Sequence, residues 1–450
     1  MTLLDPEEYL AGLAQIRDAA QQRAYISSSS VAPSLAHVEA LSQKIREIGW
    51  KDLALAEALA ESNRYLASQI NTPAAWAYAT RSTAQVLHMM RRCAEAQPLF
   101  EQAVKLFNEA GLKPEAGRTI VTVMENLMYL GRYEEALRLA DPARSSLEKV
   151  GDARYLALID VSLGNLYYRL RRYAESLEHY ERADTGGTDP DIVAAIGLGR
   201  AHVLTGMNRF DEALDAYRFT RQHCEQHGLS LWVDIVDRGL STIYLHRGNL
   251  TAALQILDQL RQKHEAANDA RRVALCDIDR AHIYSQLNLY EDASTVSSRA
   301  FETFQKLGNR FESALSLTTK GVAEFKLMHL ADAQAAFVRA RELFVQEGNE
   351  LSVAAADLCL AQLLMAQQQF SEAGKLARRS AEIFEKQQVP VRAANARVLS
   401  ALSFQETREL GLAVAEAQLA LQELEGLHAP WVYYQALNTL GKLKEAEGGT

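Results

Sequence analysis

Tyr133-Glu134-Glu135-Ala136, Tyr173-Ala174-Glu175-Ser176, Phe210-Asp211-Glu212-Ala213, Tyr290-Glu291-Asp292-Ala293 and Phe370-Ser371-Glu372-Ala373 are versions of one four-residue block. The register extends to ten blocks, which start at positions 53, 93, 133, 173, 210, 250, 290, 330, 370 and 410. The step is 40 residues throughout, except for 37 between Tyr173 and Phe210. The fourth residue of every block is alanine, apart from Ser176. A fixed period of this length marks a chain of stacked supersecondary units, and the residues around the alanine say of which kind.

Twelve residues before the fourth position lies a second site, small in all but one of nine copies: Ala84, Met124, Gly164, Ala201, Ser241, Ala281, Gly321, Ala361 and Ala401. Seven residues after it lies a third, alanine at Ala103, Ala143, Ala183, Ala300, Ala340 and Ala420. Small residues at fixed places let helix axes approach closely. Large apolar residues at helical spacing fill the intervals, with Leu127, Tyr167, Tyr244 and Tyr284 before the block and Phe107, Phe304, Phe344 and Phe384 after it. Each unit therefore reads as two amphipathic helices. Gly111, Gly151, Gly228, Gly308 and Gly348 fall where the second helix ends and supply the left-handed residue that closes a helix C-terminus.

This pattern resembles the tetratricopeptide repeat, which pairs a small residue and an aromatic on one helix with alanines and a large apolar residue on the next. The resemblance covers roughly residues 37 to 447 and implies an all-α, right-handed α-solenoid of about ten helix-turn-helix repeats. The 40-residue unit exceeds the commoner 34, so either each helix is about a turn longer or the loops are larger. The longer unit is similar to the repeat regions of bacterial signalling proteins, among them peptide-sensing regulators, LuxR-like activators and proteins carrying a CHAT-type protease. By that resemblance the first helices line a concave groove.

Residues 1–33 read as an N-terminal capping helix and linker. Asp5-Pro6-Glu7-Glu8 starts a helix that should run to about Ile26, before Ser27 to Ser30 break it. The array proper is 34–430. Residues 431–450 match the first helix of an eleventh unit, as a cap or a truncation point. The short step coincides with Thr185-Gly186-Gly187-Thr188-Asp189-Pro190, a shortened loop or a hinge.

The 450 residues are 48% hydrophobic and carry a net charge of -9, which suits a folded chain and argues against a general nucleic-acid binder. No apolar run is long enough to span a membrane. Met1 to Glu8 is acidic and polar, without the basic start and apolar stretch expected of a secretory leader, and the four cysteines are too few and too scattered for a disulfide framework. The expected compartment is the cytoplasm. No catalytic motif appears, and neither a cofactor nor a metal is expected. His223 and His227 lie one turn apart beside Cys224, but the glutamate is misplaced for a zinc protease.

The informative surface is the expected groove. Residues four apart on successive first helices give Arg81, Asn165, Arg169, His202, Arg238, Thr242, His246, His282, Gln286 and Lys326, a basic and amidic stripe in an acidic chain. It suits a protein or peptide segment with acidic side chains. The three histidines would add charge in mild acid. The function expected is a non-enzymatic interaction scaffold. The alternative is the sensory or regulatory half of a larger signalling protein, such as a CHAT-type protease or a transcription regulator. The sequence leaves the oligomeric state open.

Overall fold

A computed structural model describes residues 6–28, 32–49, 52–184, 189–427 and 429–448. The described residues are helical, in chain order α1 (Pro6–Ala14), α2 (Ala19–Ser28), α3 (Leu35–Ile48), α4 (Leu53–Ile70), α5 (Pro73–Met89), α6 (Cys93–Glu109), α7 (Lys113–Tyr129), α8 (Tyr133–Glu148), α9 (Ala153–Arg169), α10 (Tyr173–Ala183), α11 (Pro190–Gly206) and α12 (Phe210–Gln226). They continue as α13 (Ser230–His246), α14 (Leu250–Ala266), α15 (Ala270–Gln286), α16 (Tyr290–Lys306), α17 (Arg310–Lys326), α18 (Leu330–Gln346), α19 (Glu350–Ala366), α20 (Phe370–Lys386), α21 (Pro390–Glu406), α22 (Leu410–Glu423) and α23 (Pro430–Gly448). Two compact units, residues 1–162 and 163–450, divide within α9. In each, consecutive helices pack antiparallel in pairs, the layout of an α-solenoid of helix-turn-helix repeats.

Every block opens the second helix of its pair. The 40-residue unit is two 17-residue helices and two three-residue links, as in α15 and α16. The extra length over the shorter repeat type thus lies in the helices. Each three-residue link closes the same way. The middle residue is left-handed, and the residue after it donates its N–H back to a carbonyl five residues earlier, as Leu289 does to Tyr284 at 2.9 Å and Asn309 to Phe304 at 2.9 Å. Glycine takes the middle place in Gly308 and Gly348, but Met328, Gln368 and Arg408 adopt the same conformation at φ of 62°, 62° and 63°.

All ten fourth positions, from Ala56 to Ala413, are fully buried. The exception in residue type, Ser176, donates its hydroxyl to the carbonyl of Gly164 at 2.6 Å, so the polar atom is satisfied inside the core. Glycines on first helices make room for rings. A Cβ on Gly199 would stand 2.2 Å from the Tyr180 ring, one on Gly239 2.3 Å from Tyr217, and one on Gly321 2.6 Å from Phe337.

A polar ladder runs beside the apolar one. Four times, an arginine eleven residues into a second helix pairs with an aspartate sixteen residues on, in the next first helix. The pairs are Arg144–Asp160 at 2.6 Å, Arg221–Asp237 at 2.7 Å, Arg261–Asp277 at 3.0 Å and Arg341–Asp357 at 2.5 Å. Asp277, 1% exposed, also accepts from Arg299 at 2.8 Å. Near the other end Arg397 collects Glu385, Glu416 and Glu423 at 2.5, 3.2 and 2.6 Å.

The N-terminal segment differs from expectation. One helix to Ile26 is instead two, because Asp18 caps a new start by accepting from Gln21 N at 2.8 Å. The buried Gln22 donates to the freed carbonyl of Ile16 at 2.6 Å. The Asp5 cap, and residues 185–188 of the proposed hinge, lie outside the described residues. α10 ends at Ala183, and Asp189 caps α11 through Asp191 N at 3.0 Å, with Pro190 in the first turn as expected.

Candidate functional site

The first helices of the second unit place Asn165, Arg169, His202, Arg238, Thr242, His246, His282, Gln286 and Lys326 on their faces, and none of the nine is fully buried. Arg169, Thr242, His246, His282, Gln286 and Lys326 are exposed, while Asn165, His202 and Arg238 are half-buried. Three consecutive first helices converge. His202 of α11 stacks on Tyr168 of α9 with ring centres 5.9 Å apart and meets Tyr217 edge-on at 5.8 Å. Burial first, then the guanidinium groups of Arg169 and Arg238, push its pKa down to about 4.

The stripe is less free than its sequence suggests. Arg238 pairs with Asp279 of α15 at 2.6 Å, an acid one position away from the rows read in the sequence. Asn165 accepts the Tyr180 hydroxyl at 2.8 Å, and Thr242 donates to the Arg238 carbonyl at 3.3 Å. The His282 Nε2 lies 3.4 Å from Thr319 Oγ1, and although part of the side chain is exposed, the protein crowded around the ring strips it of water and lowers its pKa despite the opposing charge of Asp279. His246 stacks on Phe210 at 5.9 Å. Arg169 and Lys326 make no ion pair among the described residues. The expectation that mild acid charges the stripe fails at His202 and His282, whose pKa values lie below the ordinary imidazole value.

Arg81 belongs to the first unit and is not a surface residue. It is 1% exposed, pairs with Glu115 at 2.7 Å and lies 4.9 Å over the Tyr78 ring and 5.0 Å over Phe107. An arginine on a first helix is read equally well as groove or core from spacing alone. The clue lay in Glu115, 34 residues on and one helix pair away.

Thiol chemistry finds little support. Burial raises the thiol of Cys276 to about 12 and that of Cys359 to about 11, against the thiolate a nucleophile needs. His223 and His227 lie with ring centres 4.3 Å apart, yet each directs a nitrogen at a backbone carbonyl, Pro190 O at 3.1 Å and His223 O at 2.9 Å. Glu324, His329 and Asp332 bring ligand atoms within 4.8 Å of one another at the α17–α18 link. No helix of the described residues is long and apolar enough to cross a membrane.

Comparison with known proteins agrees with the repeat. A family model described as tetratricopeptide repeat matches residues 161–183. Protein KINESIN LIGHT CHAIN-RELATED 3 of Arabidopsis thaliana is 22% identical over 283 residues, which are 59% of this chain and 43% of that protein. The chain thus spans less than half the length of that curated relative. Among solved structures, a Rap protein complexed with competence and sporulation factor is 14% identical, with a TM-score of 0.46 over 74% of this chain and 99% of its own. A STAND protein with a tetratricopeptide repeat sensor from Pyrococcus horikoshii is 15% identical, with a TM-score of 0.45 over 94% of this chain and 57% of its own.

Proposed function

We propose that this chain of tetratricopeptide repeats is a non-catalytic binding module that receives an extended protein segment along the first-helix row of its second unit, from Arg169 to Lys326. One observation carries the reading. Arg169, His202 and Arg238 come from three successive first helices and act electrostatically on one spot, while their side chains stay at least partly open to solvent. Arg169 and Lys326 supply charge that no internal acid neutralises, and Tyr168 and His202 supply a stacked, partly apolar floor. A segment alternating acidic and apolar side chains fits that combination.

Each exposed charge contact is worth about 0.2–1 kcal/mol, rising to about 1.5–3 where a carboxylate is partly desolvated and hydrogen-bonded. A fluorescein-labelled peptide alternating glutamate and leucine provides the test. It should bind the intact chain, lose affinity with added salt, and bind the Arg169→Glu, Lys326→Glu double variant about tenfold more weakly or worse, a change of about 1.4 kcal/mol. Unchanged affinity and salt dependence in that variant would remove the first-helix row from the reading.

A further inference from the structure

The arginine–aspartate ladder occupies four repeat junctions, and at one of the others an acid takes the arginine's place. In the repeat with the 37-residue step, the arginine position holds Asp184 and the matching aspartate position holds Gly197. Both members of the internal pair are gone, and an acid stands where a base stands at Arg144, Arg221, Arg261 and Arg341. At that place α11 and α12 enclose an open cleft of about 440 Å³. Gly197 lines it, and a Cβ there would stand 2.3 Å from Thr220 Oγ1, so a larger residue fits only if the Thr220 side chain shifts. Val193, Ile196, Leu204, Ala216 and Phe219 give apolar walls, and the Phe219 ring is 66% exposed.

Charge completes the picture. The exposed Asp184, Glu212 and Asp215 line the cleft against one base, Arg200. Glu212 is held by Arg209 at 2.6 Å and Asp215 loosely by Arg218 at 3.7 Å, whereas Asp184 has no ion pair among the described residues. An apolar slot with an open ring and an unpaired carboxylate suits a guanidinium, which is planar, weakly hydrated and stacks on aromatic faces, better than it suits an ammonium.

We propose that this cleft is a docking pocket for an arginine-bearing segment of a partner protein, with the guest guanidinium standing where the chain's own arginines stand at four other repeat junctions. The inference is independent of the acidic segment proposed above, since none of these residues belongs to the first-helix stripe.

The test uses the full chain and an alanine-based peptide with two arginines four residues apart, followed by calorimetry and by amide shifts around Gly197. The peptide should bind, and its citrulline twin, which keeps the shape and loses the charge, should bind at least about tenfold more weakly. Asp184→Arg, which restores a base at the internal position, should abolish binding while the helical spectrum and melting point stay unchanged. Asp184→Asn and Phe219→Ala should each weaken it several-fold, and Arg169→Glu should leave it alone. Equal binding of the citrulline twin, full binding by Asp184→Arg, or no binding at about 5 mM peptide would overturn the proposal. So would a dimer of the free chain that the peptide dissociates, because the guest would then be a second copy.

Discussion

The ring of Tyr217 occupies the space beside Gly239 so closely that a Cβ there would stand 2.3 Å from it. Gly239→Ala should therefore force the ring or the helix aside and cost about 1–3 kcal/mol, despite alanine's better helix propensity. Gly441, inside α23, has nothing within 4 Å of its Cβ position, and Gly441→Ala should stabilise by about 0.5–1 kcal/mol. Denaturant midpoints of the two variants should move in opposite directions.

Asp277 is the best-connected rung of the ladder. It is 1% exposed and holds Arg261 and Arg299. Asp277→Ala leaves those cations facing one another and should cost about 3–5 kcal/mol. Removing the exposed Arg339–Glu342 pair should change stability by no more than about 1 kcal/mol. Thermal melts compare the two directly, and a small effect at Asp277 would refute its structural weight.

Glu423 carries a stability signature in pH. Burial first, with the neighbouring charges of Glu385 and Glu416, raises its pKa to about 6 even though Arg397 donates to it. The folded form then binds its proton more tightly than the unfolded form does, so stability falls as pH rises from about 4.5 to 6. The effect is at most about 2 kcal/mol. Glu423→Gln should flatten that part of the stability–pH curve and leave the chain no less stable at neutral pH.

His202 should titrate near pH 4 in an NMR experiment, because the imidazolium would be buried beside two guanidinium groups. Arg169→Gln removes one of them and should raise the midpoint. A midpoint near 6.5 in the unaltered chain would show that the cluster is open to water.

Met328 holds a left-handed backbone at φ 62° with a 69% exposed side chain. Met328→Gly relieves the strain and loses almost no packing. The expected gain, after the added freedom of the unfolded chain, is about 0.5–1 kcal/mol by chemical denaturation.

The repeat was legible because its signal is redundant. Alanine at nine of ten registered sites survives the loss of the tenth, and even Ser176 keeps the pattern, since its hydroxyl finds the Gly164 carbonyl. The groove was less legible because spacing places a residue on a helix without saying what faces it. Arg81 met Glu115 and two rings and went inside; Arg238 met Asp279 and stayed at the surface, half neutralised. The arginine–aspartate ladder was hidden because it occupies only four junctions, and a charge pair sixteen residues apart does not stand out among many surface charges. Asp184 is the one acid at the arginine position, and with Gly197 it stands out only against the four intact rungs.

The three-residue links have a consequence for how such a chain can grow. Each link restarts the next helix at the same phase, so the backbone returns to an equivalent setting once every 40 residues. Copying a whole 40-residue block at a link would seat every buried alanine and every rung as before. Adding or removing one residue within a helix would turn all later side chains on that helix by about 100°. The 37-residue step escapes that penalty because the loss is taken at the end of α10, which stops at Ala183 after 11 residues, and α11 restarts in its own phase at Pro190. Length in this molecule is thus a quantity that can change in whole modules, or at the seams, with little disturbance elsewhere.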